Sequence, residues 1–132
     1  MKITKQAFFS TELAITIAVA IVLFIGIAYK GSEALQDGRT SKATASAASI
    51  GAVISEYKME IGAYPESLDK LTVKNGSYGP WLSSIPRDPW GHAYIYQYSD
   101  DGYVIYSCGK SGYSHGSTVS AISKGDIGFT GR

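Results

Sequence analysis

A chain of 132 residues has room for one small domain. Twelve Lys and Arg offset eleven Asp and Glu, leaving a formal net charge of +1 and none of the basic patch that nucleic-acid binding needs. The single cysteine, Cys108, excludes an intrachain disulfide, and the isolated His92 and His115 lack zinc-site spacing.

The chain starts with Lys2 and Lys5, then Ala7-Phe8-Phe9-Ser10-Thr11-Glu12, then Leu13 to Tyr29, 17 residues without a charge. That length is at the lower limit for a membrane span, and a helix taking in Thr11, Glu12 or Lys30 reaches a comfortable one. A cleaved secretory signal is the alternative. Its apolar region is rarely this long, Glu12 sits at its start, and Tyr29-Lys30-Gly31-Ser32 has no small-x-small cleavage pattern. A retained anchor is therefore expected. Lys2 and Lys5 place the N-terminus in the cytoplasm and the bulk of the chain outside it. Glu12 is costly at the edge of a lipid-buried helix unless it finds a partner, which marks it as functional.

From Ser32 to Ile61 the chain is rich in alanine, the best helix former. Ala43, Ala47, Ile50, Val53, Ile54, Tyr57 and Ile61 recur at three- and four-residue steps and define one apolar face. No strong breaker separates this segment from the membrane run. One helix from about Phe9 to Ile61 is expected, roughly 80 Å long at the usual rise per residue. Gly62-Ala63-Tyr64-Pro65 ends it. Pro65 to Leu71 reads as a short second helix with Pro in its first turn. A loop rich in Asn, Gly, Ser and Pro runs from Lys74 to Pro89. Ala93–Tyr98 and Tyr103–Ser107 read as strands joined by the turn Ser99-Asp100-Asp101-Gly102, a hairpin. The Gly- and Ser-rich tail ends in Asp126-Ile127-Gly128-Phe129, which either adds a short strand or caps the sheet. A hairpin alone is marginal, so it is expected to pack on the Ile50, Ile54 and Tyr57 face. Cys108, after an apolar run, is expected to be buried.

Ala7-Phe8-Phe9-Ser10-Thr11-Glu12-Leu13 resembles the processing site of type IV pilins and type II secretion pseudopilins. The resemblance implies cleavage between Ala7 and Phe8, N-methylation of Phe8, and a charge pair between Glu12 and the Phe8 amine of a neighbouring subunit. Ala7 stands where the family usually has Gly, and its side chain is small. The latter half of the anchor also lacks the Pro that many members carry, which leaves Gly26 as its weak point.

A second group of residues narrows the resemblance. Gly62-Ala63-Tyr64-Pro65, Gly79-Pro80-Trp81-Leu82 and above all Asp88-Pro89-Trp90-Gly91, followed by alternating tyrosines, are similar to the type II secretion major pseudopilin. These residues also have a structural reading. Pro86 and Pro89 enforce an extended approach, Gly91 permits a turn before the strand, Trp90 buries apolar area, and Asp88 caps the turn. The resemblance implies a calcium site in the C-terminal loop. Here the candidates are Asp126 and Ser111, with Ser114 and Ser117 as further oxygens. Lys110 and Ser111 stand where the family has an acid, so one carboxylate faces an ion that takes six to eight oxygen ligands. The alternative is a loop held by the packing of Phe129 and Tyr113.

The expected fold is α+β and type IV pilin-like: a long helix, transmembrane in its first half, packed on a small antiparallel head. The expected segments are a leader at 1–7, a membrane and filament-core helix at 8–30 and a periplasmic head at 31–132. The implied function is a structural subunit of a type II secretion pseudopilus. It would sit in the inner membrane and be extracted into a homopolymeric filament that drives protein export across the outer membrane. Implied partners are further copies, minor pseudopilins, the prepilin peptidase and the inner-membrane assembly platform. A surface type IV pilin is the alternative, but such subunits usually clasp a C-terminal loop with two cysteines. An anchored enzyme finds no support, because no nucleophile elbow, metal motif or phosphate loop is present. The clustered tyrosines read as sheet packing rather than a ligand platform.

Overall fold

The computed structural model describes residues 35–132. The apolar run Leu13–Tyr29, together with Ala7, Phe8 and Glu12, lies outside the described residues. Among the described residues, no helix is long and apolar enough to cross a membrane. Residues Gly38–Arg132 form one compact unit.

Helix α1 is described from residue 35 to residue 61. Its Ala-rich composition favours the helix, and its apolar stripe decides which side is buried. Ala43, Ala47, Ile50, Ile54 and Tyr57 are buried, with Val53 and Ile61 packed at their margin, as the spacing predicts. The helix stops where Gly62 turns to a φ of 91° and its N–H closes on the Lys58 carbonyl at 2.8 Å. This left-handed step is a common helix end and suits glycine.

The second helix differs from expectation. It is a 3-10 turn, Leu68–Thr72, that starts three residues after Pro65. Ser67 is extended and makes no capping bond. That extended residue bars a helix running on from Pro65, which is buried and accepts a hydrogen bond from the Tyr96 hydroxyl at 3.0 Å. The bond holds this segment to the sheet.

Three strands form an antiparallel sheet in the order β1 (Ile95–Ser99), β2 (Gly102–Ser107), β3 (Ile127–Gly131). The β1–β2 hairpin pairs Ser99 with Gly102 and Ile95 with Tyr106. β3 pairs Tyr103 with Gly131 and Ser107 with Ile127, so the last apolar piece of the tail is a strand rather than a cap. β2 is buried along its whole length. Its alternate residues serve two cores. Tyr103 and Ile105 join Ile50, Ile54 and Tyr57 of α1. Val104 and Tyr106 join Cys108, with Ile95, Val119 and Ile122 packed against them. That double burial explains why the strand reads as a continuous apolar run instead of an alternating one.

Tyrosine hydroxyls tie these layers together. Tyr103 donates to the Gly51 carbonyl and Tyr94 to the Ala43 carbonyl, both on α1. Gly51 is required for this approach, since a Cβ there would stand 2.8 Å from the Tyr103 hydroxyl and 2.9 Å from the Phe129 ring. Burial pushes the hydroxyls of Tyr94, Tyr96 and Tyr103 above the usual tyrosine range. These tyrosines are thus packing and strapping groups, with Tyr98 about half exposed and stacked on Tyr96.

Candidate functional site

Two loops carry the predicted site residues that the described chain contains. The first is Asp88-Pro89-Trp90-Gly91, which leads into β1. Asp88 is 4% exposed. Its Oδ1 accepts the backbone N–H groups of Trp90 at 3.1 Å and His92 at 2.7 Å. Its backbone N–H reaches the His92 carbonyl, and the Gly91 N–H returns to the Asp88 carbonyl. Gly91 takes a φ of 85°, which only glycine adopts freely. Asp88 is therefore the turn cap that its position beside Pro89 predicts. Its second oxygen has a further role: Oδ2 accepts the buried Ser107 hydroxyl at the end of β2. Ser107 in turn accepts the Gly109 N–H at 3.0 Å. One carboxylate thereby fixes the loop to the central strand.

Asp88, Ser107 and His92 are the residue types of a nucleophilic triad, but their arrangement cannot run that chemistry. The serine donates to the aspartate and not to the histidine, so the imidazole is not placed as its general base. His92 lies 3.9 Å from Asp88 and is about half exposed on its side chain.

Trp90 does not enter the core. It is half-buried, and its indole N–H finds no partner among the described residues. The tryptophan packed against the core is Trp81, itself half-buried, whose ring centroid lies 4.6 Å from that of Tyr57 and whose Nε1 donates to Glu60 at 2.6 Å. The backbone selects it: the N–H groups of Trp81 and Leu82 both bond to the carbonyl of buried Leu71 at 2.9 Å.

The second loop joins Cys108 to β3. Asp126 is 7% exposed. His115 directs its backbone N–H at both carboxylate oxygens, at 3.0 and 3.1 Å, and its ring Nδ1 lies 3.1 Å from Oδ1. Ser117 supplies its backbone N–H at 3.2 Å and its hydroxyl at 2.6 Å to Oδ2. Burial by itself raises the Asp126 pKa, but the bonds from Ser117 and His115 outweigh it and hold the carboxyl below its ordinary range.

This arrangement does not fit calcium. The ion needs converging oxygen lone pairs, whereas the groups aimed at Asp126 are largely N–H and O–H donors. Ser111 is engaged elsewhere, donating to the Cys108 carbonyl and accepting the Tyr113 N–H. Ser114 pairs with the Tyr106 hydroxyl at 2.8 Å. Asp126 and Ser111 are therefore not brought into one ligand set. Among the described residues, no three His, Cys, Asp or Glu side chains gather as metal ligands. Nor does aromatic packing close the loop as the alternative expected. Tyr113 is 79% exposed, and Phe129 packs with Tyr103 at a centroid distance of 6.3 Å.

Ser107 and His115 escape the sequence reading, and Ser117, expected as a further calcium oxygen, instead donates to Asp126. Serines and histidines in a Gly-rich tail carry no pattern, and the bonds that matter begin largely on backbone N–H groups. Cys108 is buried as expected, and burial, followed by the Asp126 and Asp88 charges, pushes its thiol pKa up.

Comparison with known proteins places these loops in context. Residues 31–125 match the family described as Type II secretion system (T2SS), protein G. The chain is also similar to the type II secretion system core protein G of Xanthomonas campestris pv. campestris, at 26% identity over 80% of this chain and 78% of that protein. The family match includes Asp88 to Gly91 and stops one residue before Asp126.

Proposed function

The chain belongs to the type II secretion system protein G family and is a pseudopilin subunit of type II secretion, and from that premise we propose that it is the repeating unit of a helical filament whose growth pushes exported proteins through the outer membrane. The family match, which spans most of the head, is the observation that carries this reading. The surface-pilin alternative is not favoured: the lone Cys108 is buried and closes no loop.

In this reading the chain inserts with Lys2 and Lys5 in the cytoplasm and Leu13 to Tyr29 in the inner membrane. The prepilin peptidase removes Met1 to Ala7 and methylates the new amine of Phe8. The assembly platform then draws subunits out of the bilayer so that their apolar helices form the filament core. Glu12 meets the Phe8 amine of a neighbour there. Breaking a buried pair of this kind costs about 3–5 kcal/mol, because one charge is left alone in an apolar setting, so the pair selects register. Residues 31–132 make the outward head, with minor pseudopilins at the filament tip. The work is mechanical and the subunit has no catalytic task. The Asp88 and Asp126 carboxylates serve loop closure instead.

Intact mass and N-terminal sequencing of the protein from native membranes test this. A chain beginning at a singly methylated Phe8 is expected. A chain beginning at Met1 refutes the processing step, and one beginning beyond Tyr29 refutes the filament. Glu12→Ala is expected to be processed normally and to yield no filaments on overexpression.

A further inference from the structure

We propose that the C-terminal loop of this subunit is closed by a protein-only clasp centred on Asp126, in place of a bound cation, and that the head folds and holds its shape independently of calcium. This does not depend on how the filament forms.

Three observations converge on the clasp. The first is saturation: a carboxylate offers about four lone-pair sites, and His115 and Ser117 fill both oxygens of Asp126. A cation entering here would have to displace donors whose hydrogens already face the carboxylate. The second is that the loop behind the clasp is bonded to itself. Ser117 Oγ accepts the Ser123 N–H at 2.9 Å, Thr118 and Ala121 exchange backbone bonds, and the Asp126 N–H reaches the Ser123 carbonyl at 3.0 Å. The carbonyls of Ser123, Thr118 and Ala121 each accept one of these loop bonds. The third is the seat of the histidine. Gly125 adopts a φ of 103°, and a Cβ there would stand 2.9 Å from the His115 ring. The glycine next to Asp126 gives the imidazole room to reach the carboxylate.

The position of the clasp gives it a purpose. Asp126 immediately precedes β3, and residues 119 and 122 cover the second face of β2. Fixing Asp126 against residues 115 and 117 aligns Ile127 opposite Ser107 and holds that cover in place.

The test is thermal unfolding of the full-length subunit in detergent, with excess chelator or with millimolar calcium, alongside terbium luminescence as a direct probe of binding. The same midpoint in both conditions and no saturable terbium signal are expected. A calcium-dependent rise of several degrees, or saturable binding lost in Asp126→Asn, overturns the proposal. His115→Ala removes the ring contact alone and is expected to lower the midpoint by up to roughly 4–8 °C, the shift that about 1 kcal/mol produces in a domain this size. The same loss is expected with and without calcium, together with faster proteolysis between residues 115 and 125. An unchanged midpoint and unchanged proteolysis in His115→Ala also overturn the clasp. If Asp126→Asn fails to fold, the wild-type comparison and His115→Ala still decide the matter.

Discussion

The Tyr103 hydroxyl donates to the Gly51 carbonyl across 2.7 Å, joining the central strand to the helix between positions 52 residues apart. The same hydroxyl lies 3.4 Å from Ser55 Oγ, and its ring is buried. This bond locates the strand along the helix as well as against it.

Tyr103→Phe keeps the ring and removes the bond. A loss of about 1 kcal/mol is expected, the usual net worth of a buried hydrogen bond. Urea denaturation of the detergent-purified chain measures it. A variant as stable as the parent would mean that ring packing alone sets this contact.

Asp88→Ala leaves the Ser107 hydroxyl and the N–H groups of Trp90 and His92 without their acceptor. Water can reach the backbone groups more readily than buried Ser107, so a cost of about 2–4 kcal/mol is expected. Hydrogen exchange at Trp90 and His92 should accelerate more than exchange in α1. Uniform acceleration would show that the variant lowers global stability without opening this loop.

The buried tyrosines predict alkaline sensitivity. Burial raises the pKa of Tyr94, Tyr96 and Tyr103 above the unfolded value near 10, so the folded state favours their neutral forms. Their contribution is complete below pH 10 and falls away as pH rises past that value. Unfolding free energy measured between pH 8 and pH 11 should be flat at first and then decline. Tyr103→Phe should reduce the slope of that decline, and an unchanged slope would remove Tyr103 from the account.

Cys108 is 5% exposed and its thiol pKa is raised. Since the thiolate is the reactive form, a maleimide should label the folded chain very slowly near neutral pH. Labelling should become rapid in denaturant. Rapid labelling of the native protein would mean that residues 119–131 open readily.

The legible parts of this chain are those decided by near neighbours. The stripe from Ala43 to Ile61 repeats at helical spacing, and the turn Ser99 to Gly102 lies between two aromatic runs, so helix and hairpin could be placed directly. The Asp88 cap was legible because its partners are two and four residues away. What failed depends on distant residues. That Trp81 rather than Trp90 packs against the core goes with the Leu71 carbonyl that anchors its loop. The helix expected from Pro65 shrinks because Ser67 is extended, while Pro65 is tied to Tyr96 of the sheet. The Asp126 clasp draws on the backbone N–H groups of His115 and Ser117, which no residue type advertises.

β2 owes one neighbour to residues made after it. A chain emerging N-terminus first can lay Tyr103 and Ile105 on the helix early. The opposite side, with Val104 and Tyr106, has only Ile95 and Cys108 beside it until residues 119–131 arrive. During that interval an unpaired strand edge lies beside an apolar surface, a combination prone to joining another chain. For this subunit the order of delivery therefore governs safe folding as much as the strength of the finished packing does.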